Sequence, residues 1–103
     1  MYKLCYHVPE SHLERTKAAA FAAGAGRVGV YEHCCWQVEG QGQFRPLRGS
    51  RPFIGKQGEL ATVREYRVEM ICSDELIAHA VVALKRTHPY EEPSYQVWRL
   101  ADY

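Results

Sequence analysis

The sequence has almost no excess of one charge: 13 lysines and arginines face 12 aspartates and glutamates, a formal net charge of +1. A chain so balanced has no global field to draw it onto nucleic acid or an anionic membrane, so any anion site must be local. It also lacks an apolar run approaching the roughly 20 residues that a membrane span needs. No secretory leader precedes the strand-like opening Met1-Tyr2-Lys3-Leu4-Cys5. The cysteines, Cys5, Cys34, Cys35 and Cys72, contain no C-x-x-C pair. Cys34 and Cys35 are neighbours, and in a strand they would point to opposite faces, which makes a poor disulfide framework. Walker and dinucleotide fingerprints are missing as well. These absences predict a soluble, cytoplasmic protein in a reducing compartment, with neither nucleic acid nor membrane as partner.

What is present suits one domain spanning 1–103. A hydrophobic fraction of 47% is ordinary for a globular chain and argues against disorder. A chain of this size buries roughly 60–70% of its unfolded surface, enough for one modest core. Tyr2 to Val8 reads as a strand ended by Pro9. Ser11 with Glu14 three residues later is a capping-box signature for a helix. Leu13, Ala20 and Phe21 give that helix its apolar face, and Gly24 and Gly26 close it.

Val28 to Val38 alternates, with Val28, Val30, Cys34, Trp36 and Val38 on one face and Tyr31, His33, Cys35 and Gln37 on the other. That predicts a strand. Gly40-Gln41-Gly42 reads as a turn and Gln43 to Leu47 as a short return strand. From Arg48 to Gly58 the composition shifts to a long, basic, glycine-rich loop. Ala61 to Cys72 alternates again, with Tyr66, Val68, Met70 and Cys72 opposite Glu65, Arg67 and Glu69. Ser73 is placed to cap a second helix, with Asp74 and Glu75 in its first turn. Leu76, Ile77, Ala80, Val81 and Leu84 form its buried stripe, Lys85 and Arg86 suit its C-terminal end, and Pro89 stops it. Tyr95 to Leu100 makes a last strand. Strand–helix–strand, an excursion, then strand–helix–strand predicts an α+β, ferredoxin-like split βαβ sandwich.

The densest chemistry lies at His88-Pro89-Tyr90-Glu91-Glu92-Pro93. Two prolines fix φ and push the preceding residues toward extended geometry, so an imidazole, a phenol and two carboxylates sit in a stiff bend. Such a bend is either a site or a structural corner.

Four stretches together carry a family resemblance: Gly24-Ala25-Gly26, Tyr31-Glu32-His33-Cys34, Gly40-Gln41-Gly42-Gln43-Phe44-Arg45-Pro46 and His88-Pro89-Tyr90-Glu91-Glu92-Pro93-Ser94-Tyr95. Over nearly the whole chain the sequence resembles the insert domain of the YqfO-like family, the NGG-interacting factor three proteins or GTP cyclohydrolase type-2 homologues. The resemblance implies a ferredoxin-like fold of the CutA and PII-like kind, and with it a homo-oligomer, a trimer sooner than a dimer. Full-length members carry the insert between two halves of a larger domain that holds a dinuclear metal centre. This chain has no room for those halves, and the resemblance does not carry that centre over.

Two kinds of site follow from the residues. His33, Cys35, His88, Glu91 and Glu92 are candidate metal ligands, since imidazole and thiolate suit zinc or copper, and a divalent ion is the cofactor they would imply. The competing reading is a hydrogen-bonded corner with Cys34 as a small buried hydrophobe. Gly40, Gly42, Arg45, Arg48, Arg51 and Tyr90 are candidates for a small ligand or protein partner. Backbone N–H groups of the glycine loop would cradle an anion, and its arginines, with Lys56, would add charge-assisted bonds. The competing reading there is a solvated arginine-bearing loop. No catalytic residue is assigned. The expected function is a non-catalytic, oligomeric PII/CutA-like binding module. The alternative is a metal-dependent hydrolase-like enzyme using His88 with the Glu91 and Glu92 carboxylates. The bend at His88–Pro93 and the loop at Gly40–Gly58 are expected to meet near a subunit interface.

Overall fold

A computed structural model describes all of residues 1–103. Its strands are β1 (Tyr2–Pro9), β2 (Trp36–Phe44), β3 (Ala61–Cys72) and β4 (Tyr95–Arg99), and its helices are α1 (Leu13–Ala22) and α2 (Ile77–Thr87). They form one antiparallel sheet of order β2-β3-β1-β4. Each helix links two strands that are not hydrogen-bonded to one another, so both crossovers lie on the same face. This is the split βαβ sandwich that the element order predicts.

Alternation decides which residues meet the helices. Leu4, Tyr6 and Val8 of β1 stand opposite Met70, Val68 and Tyr66 of β3. With Leu13 and Ala20 of α1 and Ala80 and Leu84 of α2 they make the core. Tyr6 is wholly buried there, yet its hydroxyl is satisfied: it donates to Thr16 Oγ1 at 3.0 Å, and Thr16 in turn donates to the His12 carbonyl at 2.8 Å. Burial pushes the Tyr6 phenol up to about 12, which keeps it a neutral donor.

Helix ends follow the sequence in one case and depart from it in two. α1 closes in a Schellman motif: Gly24, at φ 105°, donates to the Phe21 carbonyl at 2.9 Å, and Ala25 to that of Ala20 at 3.1 Å. The expected capping box at Ser11 does not form. A 3-10 turn, Glu10–His12, precedes α1, and the Ser11 hydroxyl pairs with His12 Nδ1 at 2.8 Å. Nor does Ser73 cap α2 with its side chain. It contributes its carbonyl, which accepts from Leu76 and Ile77 in a turn before the helix. Asp74 is thereby outside the helix and pairs with Arg99 at 3.6 Å.

The largest departure is the stretch Val28 to Cys35, which is not strand. Gly26 takes the carbonyl of Ile71 at 2.8 Å, and Cys34 bonds back to the Gly26 carbonyl at 2.8 Å. The edge position that a longer β2 would use beside Ile71 is therefore filled. Val28 and Tyr31 exchange both backbone hydrogen bonds at 2.9 Å around Gly29, a tight turn of its own. His33 lies at φ 59° with its ring stacked on Phe21, centroids 4.8 Å apart, so it shares no strand face with Cys35. An alternating pattern without a partner strand has no ladder to join.

Gly40-Gln41-Gly42 is likewise no turn. It lies within β2, opposite Glu65, Arg64 and Val63, and the chain turns only after Phe44. The return strand expected at Gln43 to Leu47 is absent for the same reason, because Gln43 and Phe44 finish β2 against Thr62 and Ala61.

Candidate functional site

The sheet face away from the helices carries Val38, Gly40, Gly42 and Phe44 of β2, Glu65 and Arg67 of β3, and His7 of β1. At one end the loop after β2 and the bend before β4 rise over this face and flank a half-open cavity of about 820 Å3. Its floor is bare backbone. A methyl group at Gly40 would touch nothing within 4 Å. At Gly42 a Cβ would strike Glu65, whose carboxylate lies across that glycine. Gly42 is thus the residue that lets Glu65 lie flat at the base of the cavity.

The walls are held by named bonds. Glu91 Oε2 accepts from the Arg51 backbone N–H at 2.9 Å, tying bend to loop. The Tyr90 hydroxyl donates to Glu65 Oε2 at 2.7 Å, tying bend to sheet. Burial and the Glu65 carboxylate both raise the Tyr90 phenol, so it stays a donor at any physiological pH. Phe44 and Phe53 flank Tyr90 with centroids at 6.2 and 6.4 Å, and Phe53 also packs edge-on to His12 at 5.4 Å. Inside the loop, Gly58 donates to the Pro46 carbonyl at 2.7 Å and Gln57 to that of Ser50 at 2.9 Å, so the excursion carries its own structure.

His88 is the post beneath the bend. Its Nε2 faces the His7 carbonyl at 2.7 Å and so carries the proton, while Nδ1 accepts the Tyr90 backbone N–H at 3.2 Å. Both ring nitrogens are used and the ring is buried. Burial lowers its pKa, against the opposing pull of the His7 carbonyl and of Glu65. A neutral imidazole with no free nitrogen is a structural corner.

No protein-family model matches the chain. Relatives nevertheless do. The GTP cyclohydrolase 1 type 2 homolog of Halalkalibacterium halodurans is 41% identical over 102 residues, covering 99% of this chain and 27% of that protein. Among solved structures, a Bacillus cereus protein related to NIF3 is 37% identical, with a TM-score of 0.84 over 98% of this chain and 26% of that one. The chain is related to one segment of the GTP cyclohydrolase 1 type 2 homologues. It spans about a quarter of the length of the curated relatives it matches. CutA from Xylella fastidiosa superposes with a TM-score of 0.71 over 99% of this chain and 85% of its own, at 16% identity, which shows the fold alone. The CutA/PII-like, ferredoxin-like architecture is thereby established from two directions.

In this chain the sequence-predicted ligand residues divide. Gly40, Gly42, Arg45 and Tyr90 line the cavity. Arg48 and Arg51 do not: both are exposed on the loop, and Arg51 contributes its backbone N–H only. The predicted metal set is not assembled. Nowhere do three His, Cys, Asp or Glu side chains converge. His33 is stacked on Phe21, Cys35 is exposed on the α1–β2 connection, and His88 is spent in the corner, so the predicted histidines and cysteine do not join Glu91 and Glu92. The hydrolase-like alternative gave His88 a metal or a proton to carry, and its hydrogen bonds leave no nitrogen for either.

Sequence reasoning missed Phe44, Phe53, Glu65 and Arg67 as cavity residues. Alternation along β3 does place Glu65 and Arg67 on the outward face. Nothing local to either residue signals that a loop and a bend close over that face.

Proposed function

We propose that this chain is a non-catalytic, self-associating binding module that receives a small ligand in the cavity between β2, the 45–60 loop and the 88–94 bend. One observation carries the reading: two segments distant in sequence are tied together by Glu91 and Arg51 over a glycine floor, leaving a half-open, largely apolar cleft of about 820 Å3. That volume is in the range of small-molecule sites and far beyond a single ion. Residues 1–103 act as one folding unit in this reading, and four unpaired thiols support a reducing, cytoplasmic setting.

Gly40 supplies the test. A side chain there enters open space, and the position is extended strand, so Gly40→Ile fills the cavity without straining the fold. Native mass spectrometry of untagged protein, with amide chemical-shift mapping of a fragment library, reads the result. The expected outcome is retained or titrated small molecules that shift the Gly40, Gly42 and Tyr90 amides in the parent and not in Gly40→Ile. Binding that survives the plugged floor unchanged would remove the site from this cavity.

Self-association rests on a separate observation. Trp36 and Trp98 lie at opposite edges of the uncovered sheet face and are 59% and 43% exposed. Tryptophan at that exposure on a flat face is the composition of a subunit contact.

A further inference from the structure

The cavity has a sign, and it is the reverse of the one its basic loop suggests. Glu65, Glu91 and Glu92 line it, against Arg45 and Arg67. Arg67 is already neutralised by Glu69, at 2.9 Å. The ion pairs of the molecule use Glu14, Glu32, Glu39, Glu69 and Asp74, and none of them engages the three cavity carboxylates. Glu91 accepts one backbone N–H and Glu65 one phenol, so both keep unused acceptor capacity. Glu91 and Glu92 are exposed, but Glu65 is half-buried, and a half-buried carboxylate without a cation carries a desolvation cost that a bound positive charge would relieve.

Three rings, Phe44, Phe53 and Tyr90, stand in the wall beside the aliphatic Val38, Leu47 and Ile54. Phe44 and Phe53 flank Tyr90, and the electron-rich faces of such rings attract a cation while rejecting an anion. A carboxylate at the base, two more on the bend at the rim, three rings in the wall and a volume of about 820 Å3 describe a receptor for a positively charged organic molecule with an apolar body. We propose that the ligand of this cavity is a small organic cation, an amine or quaternary ammonium, whose charge is met by Glu65 and whose body lies between Phe44, Phe53 and Tyr90. The proposal rests on the reading of this cavity as the ligand site and adds the charge of what it takes.

Three probes of one shape test the sign: phenethylammonium, the neutral 2-phenylethanol and the anionic phenylacetate, each titrated into isotope-labelled protein at neutral pH. The cation binds about tenfold or more tighter than the neutral probe, the anion weakest, a difference of about 1.4 kcal/mol or more. Glu65→Gln keeps an acceptor for the Tyr90 hydroxyl and removes the charge, so it lowers phenethylammonium affinity about tenfold and leaves 2-phenylethanol unchanged. Phe53→Ala, on the exposed loop, weakens the cation through the aromatic wall alone. Equal affinity for all three probes, or preference for phenylacetate, with shifts at Gly40, Gly42 and Tyr90, overturns the cation while the cavity stands as a site. Shifts with none of the probes at those residues overturn both.

Discussion

His88 shows how one side chain can look like a catalyst in the sequence and serve as a strut in the fold. It joins the His7 carbonyl to the Tyr90 amide and so fixes the bend against β1. Burial holds its pKa below the ordinary 6.5 of an exposed imidazole, with His12 adding in the same direction and the His7 carbonyl and Glu65 opposing. As pH falls, the unfolded chain therefore takes up this proton before the folded one. The stability His88 contributes is full above about pH 6.5 and is lost as pH drops through its lower folded value. Protonation also removes Nδ1 as an acceptor, which releases Tyr90 and with it the cavity wall. Thermal melts stepped from alkaline to mildly acidic pH should show this loss in the parent. In His88→Gln the melting temperature should start lower and this part of the slope should vanish. Equal slopes would mean that other groups carry the acid sensitivity.

At the scale of elements, the pieces with a periodic partner were legible and the pieces that depend on a neighbour were not. β1, β3 and β4 stand within a residue of their predicted bounds and α2 starts three residues late, because alternation and helical spacing are local signals while a cap is not. β2 was misplaced because strand character at Val28 to Cys35 needs a free edge, and Gly26 occupies it by bonding Ile71. The same glycine offers a test of that account. Gly26 sits at φ 78°, and a Cβ there would lie 2.8 Å from the Phe21 ring and 2.9 Å from the Cys34 carbonyl. Gly26→Ala should cost about 2 kcal/mol, from the left-handed backbone and the crowded carbonyl together. Urea unfolding with an unchanged slope would report it, and a loss below a few tenths of a kcal/mol would show that the α1–β2 connection is not pinned there. In the candidate site, Tyr90, Gly40 and Gly42 do line the cavity, but the glycines do so as strand β2 and not as the anion-cradling turn their composition suggests. Arginines dominate the loop in sequence, but of them only Arg45 lines the cavity, and the lining acids come from β3 and the bend, Glu65, Glu91 and Glu92.

The whole molecule is too long for its size. Its radius of gyration is 14.6 Å and its long axis 46 Å, where a compact chain of this length has a radius near 13 Å. The excess comes from a sheet covered on one face only, with β2 as an unpaired edge and Trp36, Val38 and Trp98 bare. Long, exposed edges and apolar faces invite pairing with another copy, which is how such surfaces are kept out of water. Val38 belongs both to that face and to the lining of the cavity, so a copy docked there would sit at the rim of the ligand site. Assembly and ligand binding would then raise each other's stability by mass action. Sedimentation equilibrium should give a trimer, with a melting temperature that climbs with protein concentration. Trp36→Glu places a charge on the bare face, where the side chain is 59% exposed and the core is untouched, and should yield a folded monomer whose melting no longer depends on concentration. A parent protein that sediments as a single copy at every concentration, with melting identical to Trp36→Glu, would leave the uncovered face without a partner and the cavity to act alone.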